Sequence, residues 1–479
     1  MAQSAFRSWI GVAKDTQNAN LSAAVAAGAT SLTLKNITAA SSTVGATYSV
    51  VIVDGVLTET VIPSGPISGV TDGSTLGIGA TAYAHSANAY VYFQLTASVG
   101  PTAYMPVTSM DFSDDYVQLY DKGMRGSQAD IYGAQQGTRV GNISLAGDIF
   151  PDTFGYLLSS FFGAYDYTAT AGIVPTQYAF SPQNTGNGQP SSYLYYDYNP
   201  GASNTRVYAK AVCSDLAIKF APGALAGYTA TIKSFASGVV NNPATIPPVF
   251  SSFTPLPART ATASIGKLLT GASSVTTANT VASTSGLAVG MLLSVVGGTG
   301  AFAAGTTVAS ITDATHFVSS AAASPALSGA TVSASAITGK VMTADYSFKR
   351  QAFGEIFTLQ GVQDPLAIFS GPVAASVKTS IIVDDDVQLL NYINQSQPSF
   401  SLTARIGQGA AATDNGVAVQ TSVVNYEAVK VVQQGKAYVT LDVPFQAIAN
   451  STDKSTAGGG LSPALVTLST KTTGTTTLY

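Results

Sequence analysis

Residues 139–163 read RVGNISLAGDIFPDTFGYLLSSFFG, a strand that runs straight into a short amphipathic helix. Val140, Ile143 and Leu145 lie in a run bounded by Gly141 and Gly147, loosely the pattern of a half-buried strand. Asp148 and Pro151-Asp152-Thr153 supply helix-start chemistry, a small polar cap beside a proline suited to a first turn. Phe154, Leu157, Leu158, Phe161 and Phe162 follow at i, i+3, i+4, i+7 and i+8, which places all five on one face. Gly163 is the expected stop, because glycine takes positive φ without strain. Almost everything else in the chain reads as strand. The spacing therefore predicts a helix over about 151–162 that plugs one side of a β-sheet.

Working outward, a chain of 479 residues exceeds one ordinary core, so two or three domains are expected. Only 10% of residues are charged, against roughly 25% in a typical soluble protein. Gly, Ala, Ser and Thr fill the place of charge, giving a polar but neutral surface suited to packing against copies of itself. The net charge, 21 minus 25 or −4, offers no basic field to hold nucleic acid. With this charge, a protein meeting DNA would let it pass rather than grip it. The start, MAQSAFRSWIGVAK, lacks the charged end and apolar core of a secretion signal. The longest apolar stretch, near 286–296, is too short to cross a bilayer. Cys213 is the only cysteine, so no intramolecular disulfide can form, and its strand-like setting reads as a buried inert thiol. Synthesis in a cytoplasm is the expectation.

Residues 1–19, holding the only tryptophan, Trp9, read as an N-terminal arm that docks onto something, within the chain or on a neighbour. From 20 to 95, short β-like runs alternate with Gly, Asn, Asp and Ser clusters in a nearly chargeless stretch, the pattern of a small all-β module. From 96 to 259 the charge and aromatic content rise around the helix. Tyr193, Tyr195, Tyr196 and Tyr198 suggest a strand or loop whose rings cover a surface, and a hairpin is expected to turn at Pro222-Gly223. Five prolines between 243 and 257 mark a stiff linker. A second charge-poor β module follows over 260–338, repeating the grammar of the first. The charged style returns over 339–450, where Asp384–Asp386 could open a short helix and Asp414-Asn415-Gly416 signals a hairpin turn. Residues 451–479, rich in Thr, Ser and Gly, read as a C-terminal arm. The two modules thus interrupt one discontinuous antiparallel β-domain.

Catalysis needs convergent titratable groups, and the sequence supplies none. His85 and His316 stand in separate charge-poor modules and read as surface or turn histidines. Asp384–Asp386, like Asp111, Asp114 and Asp115, lacks a loop placing further oxygens at set spacing, so a capping or solvated cluster is preferred over a Ca²⁺ site. There is no G-x-x-x-x-G-K-[ST] loop, CxxC pair or H-E-x-x-H. The expectation is a protein that is not an enzyme and carries no cofactor or metal.

Four passages, taken in order, resemble the tail tube protein of long-tailed, non-contractile bacteriophages. They are WIGVAKDT; YMPVTSMDFSDDYVQLYDKGMRGSQADIYG; GNISLAGDIFPDTFGYLLSSFFGA; and YSFKRQAFGEIFTLQGVQDPLAIFSGPVAASVKTSIIVDD with QPSFSLTARIG. Together they cover about a quarter of the chain. The resemblance implies a tail-tube-type β-sandwich with one flanking α-helix, polymerised as stacked hexameric rings into a hollow conduit for genome ejection. It implies residence in the virion tail, and as partners other copies of the chain and further tail proteins (tape measure, terminator, distal tail). DNA would pass through the lumen without specific binding. Trp9 and the loop with Asp114, Asp115, Tyr116, Lys122 and Arg125 become candidate inter-subunit contacts; Phe154, Leu157, Leu158, Phe161 and Phe162 form the helix packing face.

The two inserted modules depart from compact members of that family. They are expected outside the tube as decorations, with weak host-surface glycan contact as a hypothesis. The alternative is a capsid decoration or host-surface adhesion protein acting through the β modules. A glycan-processing enzyme is a third reading, and it lacks the paired carboxylates such chemistry needs.

Overall fold

In a computed structural model the helix runs from Phe154 to Phe162, after a turn over 151–153. It stops at Gly163, whose φ of +88° lets its N–H return to the Ser159 carbonyl. A Cβ there would meet Pro190 Cα at 2.7 Å, so close approach and backbone sign both demand glycine. The five residues of the apolar face are buried, but so are Gly155, Tyr156, Ser159 and Ser160. A helix buried all round needs neighbours on every side. It has them: strand Asn204–Phe220 of one sheet, and strands Gly163–Thr170 and Ile173–Pro182 of a second. The helix fills the space between two sheets instead of covering the outside of one.

The structure describes residues 9–470 apart from 15–17, 36, 38–47, 55–56, 66, 69–70, 96–100, 102, 123–129, 171–172, 185–188, 199–203, 242–250, 252, 275, 285–286, 288, 304, 339–340, 358–362, 366, 384–388, 390–391, 394–396, 407–414 and 433–438. The fold is mainly β, antiparallel, with Phe154–Phe162 its one fully described α-helix; Leu389, Tyr392 and Ile393 are also helical. Strand Asn204–Phe220 is the hub of the first sheet. One of its edges pairs with Gly227–Ser234 and then Gly238–Asn241. Its other edge is shared, by Val341–Arg350 at one end and by Tyr193–Tyr198 at the other. From these the sheet spreads in three directions: through Val373–Ile382 and Thr440–Ala447 to Val424–Tyr426; through Trp9–Lys14 to Ala103–Met105; and through Gly133–Asp148 to Ser109–Asp121. The hub returns through a turn at Pro222-Gly223, with Gly223 at φ +78°, as its sequence implies.

The second sheet runs Gly163–Thr170, Ile173–Pro182, Leu465–Thr470, Asn415–Thr421, Ser399–Ile406, Ala261–Ser274. It faces the first across a shared core, in which Tyr346 meets Phe400 at 5.7 Å between ring centres and Phe400 meets Phe445 at 5.9 Å. The two layers form a β-sandwich. Arg350 closes the helix end inside it, donating from Nε to the Phe161 carbonyl at 2.9 Å and from Nη1 to the Gly371 carbonyl at 3.1 Å. Burial lowers its pKa to about 10. A cation at the helix C-terminus also meets the negative end of the helix dipole.

Several sequence readings change. Residues 9–14 form a paired strand, with Ile10 and Val12 fully buried, so the described part of the N-terminal stretch docks within its own chain as part of the sandwich. Leu465–Thr470 is an interior strand, so the stretch read as a C-terminal arm closes the second sheet instead. Neither stretch shows by its composition which strands flank it. Tyr193, Tyr195, Tyr196 and Tyr198 are all buried and cover no surface, since their strand has partners on both faces. In strand Gly133–Asp148 the buried phase is Arg139, Gly141, Ile143, Leu145 and Gly147, which leaves Val140 on the other face. Asn415-Gly416 is not a turn but the start of a strand, Gly416 lying opposite Arg405. The acidic run Asp384–Asp386 lies outside the described residues.

The 18–95 stretch is a separate six-stranded sheet with its own core of Leu21, Leu34, Val50, Ile52, Leu76 and Val91. It is spliced into the hairpin of Trp9–Lys14 and Ala103–Met105, where Ile10 faces Met105. The second module also has its own core, around Leu269, Phe317 and Val332. No break falls at 260, however. Strand Ala261–Ser274 begins in the sandwich against Ser399–Ile406 and runs on into the module against Ser328–Thr338.

Candidate assembly surfaces

Strands Ser109–Asp121 and Gly133–Asp148 form a long ribbon whose root is held and whose far end is free of the body. At the root, alternation puts Met110 and Phe112 against the core and Asp111 outward. Beyond Arg139 the alternation stops. Tyr116 and Tyr120 on one face, Val117 and Leu119 on the other, and Ile131 opposite are all exposed, Leu119 at 55% and Tyr120 at 53%. A ribbon apolar on both faces cannot be satisfied by one side of its own body. Exposed clusters of this kind mark interaction sites.

Arg139 sits where the ribbon leaves the sandwich, at a β-bulge between Gln136 and Arg139. Its guanidinium is fully buried and holds Asp364 in a fork, Nε to Oδ1 at 2.7 Å and Nη2 to Oδ2 at 2.6 Å. Its backbone N–H donates to the Gln363 carbonyl at 3.1 Å. The planar fork matches a carboxylate as no lysine could. The pair joins the ribbon root to the segment that leads into a second small hairpin, Gly354–Ile356 with Ala367–Phe369. That hairpin also shows apolar groups, Ile356, Phe357 and Phe369, and is tied back by Glu355, which accepts from Lys233 Nζ at 2.5 Å. Nothing in the chain signals this joint in advance, because Arg139 and Asp364 are 225 residues apart.

The residues singled out from sequence do not converge on one place. Trp9 is in a strand opposite Tyr198. Asp114 is taken within the chain, accepting from the Ser237 N–H at 2.7 Å and Oγ at 2.6 Å. Asp115 is exposed and accepts from Asn142 Nδ2 at 2.5 Å. Tyr116 and Lys122 are exposed on the ribbon, with Lys122 Nζ 3.6 Å from Asp130. Arg125 lies outside the described residues. The apolar ribbon residues went unremarked in the sequence, since VQLY reads as any half-buried strand until its neighbours are known.

A second surface is the outer face of the first sheet. Across five adjacent strands the outward positions are Thr229 and Thr231, then Asp215, Ala217 and Lys219, then Asp345, Ser347 and Lys349, then Ser376 and Lys378, then Asp442 and Gln446. Ile382, exposed at the end of its strand, adds one large apolar group to this face; the other positions named are small, polar or charged. The charges alternate in register: Asp345 lies between Lys219 and Lys378, and Asp215 lies opposite Lys349. Each lysine thus has a carboxylate neighbour one strand away, which cancels the field a phosphate would feel.

Titratable groups elsewhere are absorbed by structure. His85 is buried, not on the surface, with Nε2 2.9 Å from Glu59 Oε2; Glu59 also accepts from the Tyr83 N–H at 3.2 Å. His316 stands in an exposed turn, where Asp313 accepts from the His316 N–H at 2.8 Å and the Thr315 N–H at 2.7 Å. The backbone bond from Thr315, then the imidazole, hold the Asp313 carboxyl down at about 2. Cys213 is buried, which raises its thiol pKa. Among the described residues, no three His, Cys, Asp or Glu side chains are grouped to hold a metal. Among the described residues no helix is long and apolar enough to cross a membrane. Comparison with known proteins gives no match to any family model or to any curated protein.

Proposed function

We propose that this chain is a structural protein of a phage tail tube: copies assemble as stacked hexameric rings, and DNA passes through the channel they enclose. The observation that carries the reading is the Ser109–Asp121/Gly133–Asp148 ribbon, rigidly rooted by Arg139–Asp364 and apolar on both faces beyond it. Such an arm fits a groove on another copy, in the next ring. Two further features support it. Short strands, Ala103–Met105 and Val424–Tyr426, stand at the two ends of the first sheet's strand order; sheet edges of this kind can be extended by neighbouring copies. Across the five strands from Gly227–Ser234 to Thr440–Ala447 its outer face is mostly small, polar and charge-compensated, a wall past which a polyanion would slide without being gripped. In this reading the protein is not an enzyme, carries no cofactor, resides in the virion tail after synthesis in the host cytoplasm, and meets the other tail proteins only at the tube ends. The four ordered passages of resemblance give the reading its specific form.

Electron microscopy of the purified full-length protein tests it. Rings or hollow tubes are expected for the native chain, and Leu119→Asp with Tyr120→Asp is expected to leave single folded subunits. Native protein that stays monomeric or trimeric, even with tail partners present, would overturn the conduit and favour the adhesion reading.

A further inference from the structure

The sandwich carries an apolar cluster separate from its main core, and one member comes from the inserted 18–95 sheet. Leu194 and Tyr196 project from the opposite face of the strand whose Tyr193 and Tyr195 enter the core. With Val207, Ala209 and Phe235 they make an apolar patch on the outside of the sandwich, and Tyr90 closes it. The Tyr90 ring meets Phe235 edge-on, 5.8 Å between centres, and Lys210 Nζ stands 4.6 Å from the Tyr90 ring centre. Lys210 is held there by an unusual backbone. It sits in a β-bulge between the Tyr193–Ala211 and Tyr195–Tyr208 pairings, with φ at +52°. A non-glycine residue persists in that region only where its surroundings fix it. Cation–π contact with Tyr90 is one such fixing interaction. In its own module Tyr90 points away from the core, which its neighbour Val91 enters, so the module's folding does not require the ring.

We infer that the 18–95 module is a fixed cover of the sandwich, locked by Tyr90 in one orientation, and not an appendage swinging on its linkers. Its partner is the apolar outer face of strand Tyr193–Tyr198, which would otherwise meet water. The inference holds whatever the chain assembles into.

The test uses the full-length protein with spin labels on cysteines placed at the exposed Thr75 and Thr229, Cys213 being buried, diluted into excess unlabelled protein so that only distances within one chain are read. The expected result is a single narrow distance distribution, retained in Tyr90→Phe and severalfold broader in Tyr90→Ala, with increased binding of a hydrophobic dye in the latter. Lys210→Ala is expected to broaden it less. A broad distribution with Tyr90 intact, or a narrow one unchanged in folded Tyr90→Ala, would overturn the inference. The native measurement decides even if a variant does not fold.

Discussion

Removing one partner of the Arg139–Asp364 pair should damage the ribbon root far more than removing both. In Arg139→Met the Asp364 carboxylate, accepting two bonds at 2.6 and 2.7 Å and almost wholly shielded from water, loses its counter-charge. Stranding a buried charge costs about 3–5 kcal/mol. Asp364→Leu strands the guanidinium and should cost a similar amount. The double variant strands neither. It forfeits a charge-assisted fork but also the cost of drying two ions, and with apolar groups of similar volume it should fall within about 1–2 kcal/mol of the native protein. The chain holds several cores, so one global unfolding transition is a poor gauge. Native-state hydrogen exchange of amides in Gly133–Asp148, including the Arg139 N–H that bonds Gln363, reads the opening energy locally. Single substitutions costing under about 1 kcal/mol, as an exposed pair would, would refute the reasoning. So would a double variant whose cost equals the sum of the singles.

Other expectations follow from single sites. Gly163→Ala, forced to φ +88° with its Cβ against Pro190, should cost more than about 1 kcal/mol in chemical unfolding; an unchanged midpoint would contradict the helix stop. Arg350→Met leaves the Phe161 and Gly371 carbonyls without their donor and should cost about 2–3 kcal/mol, with amides of the helix exchanging faster than those of the 18–95 module. Burial raises the Tyr156 pKa from 10.0 to about 12, and those of Tyr193, Tyr195, Tyr228 and Tyr346 above the ordinary range. A raised folded pKa means stability that is full below about pH 10 and lost as pH climbs towards 12, about 3 kcal/mol for Tyr156 alone. An ultraviolet titration should therefore show the exposed tyrosines ionising first and the buried ones only as β-structure is lost; a single step with the fold intact would count against the burial. Leu119→Asp with Tyr120→Asp should change stability by less than about 0.5 kcal/mol per site while abolishing assembly, as seen by sedimentation.

The sequence by itself determined those features that rest on local physics. The i, i+3, i+4 spacing from Phe154 to Phe162 and the glycine after it fixed the central helix, because both helical period and positive φ are decided within a few residues. Pro222-Gly223 marked the hairpin for the same reason, and the drop in charge from 20 to 95 marked a sheet that has its own core. Only the tertiary structure decided what depends on distant neighbours. Tyr193–Tyr198 could be read as a surface until the main core and Tyr90 were seen to bury its two faces. Residues 9–14 and 465–470 became interior strands because other strands lie on both sides of them, a fact absent from their composition. The ribbon followed the same rule. Its apolar residues were visible in the chain, but exposure is a property of what does not pack against them, and Arg139 found Asp364 only because folding closed a gap of 225 residues.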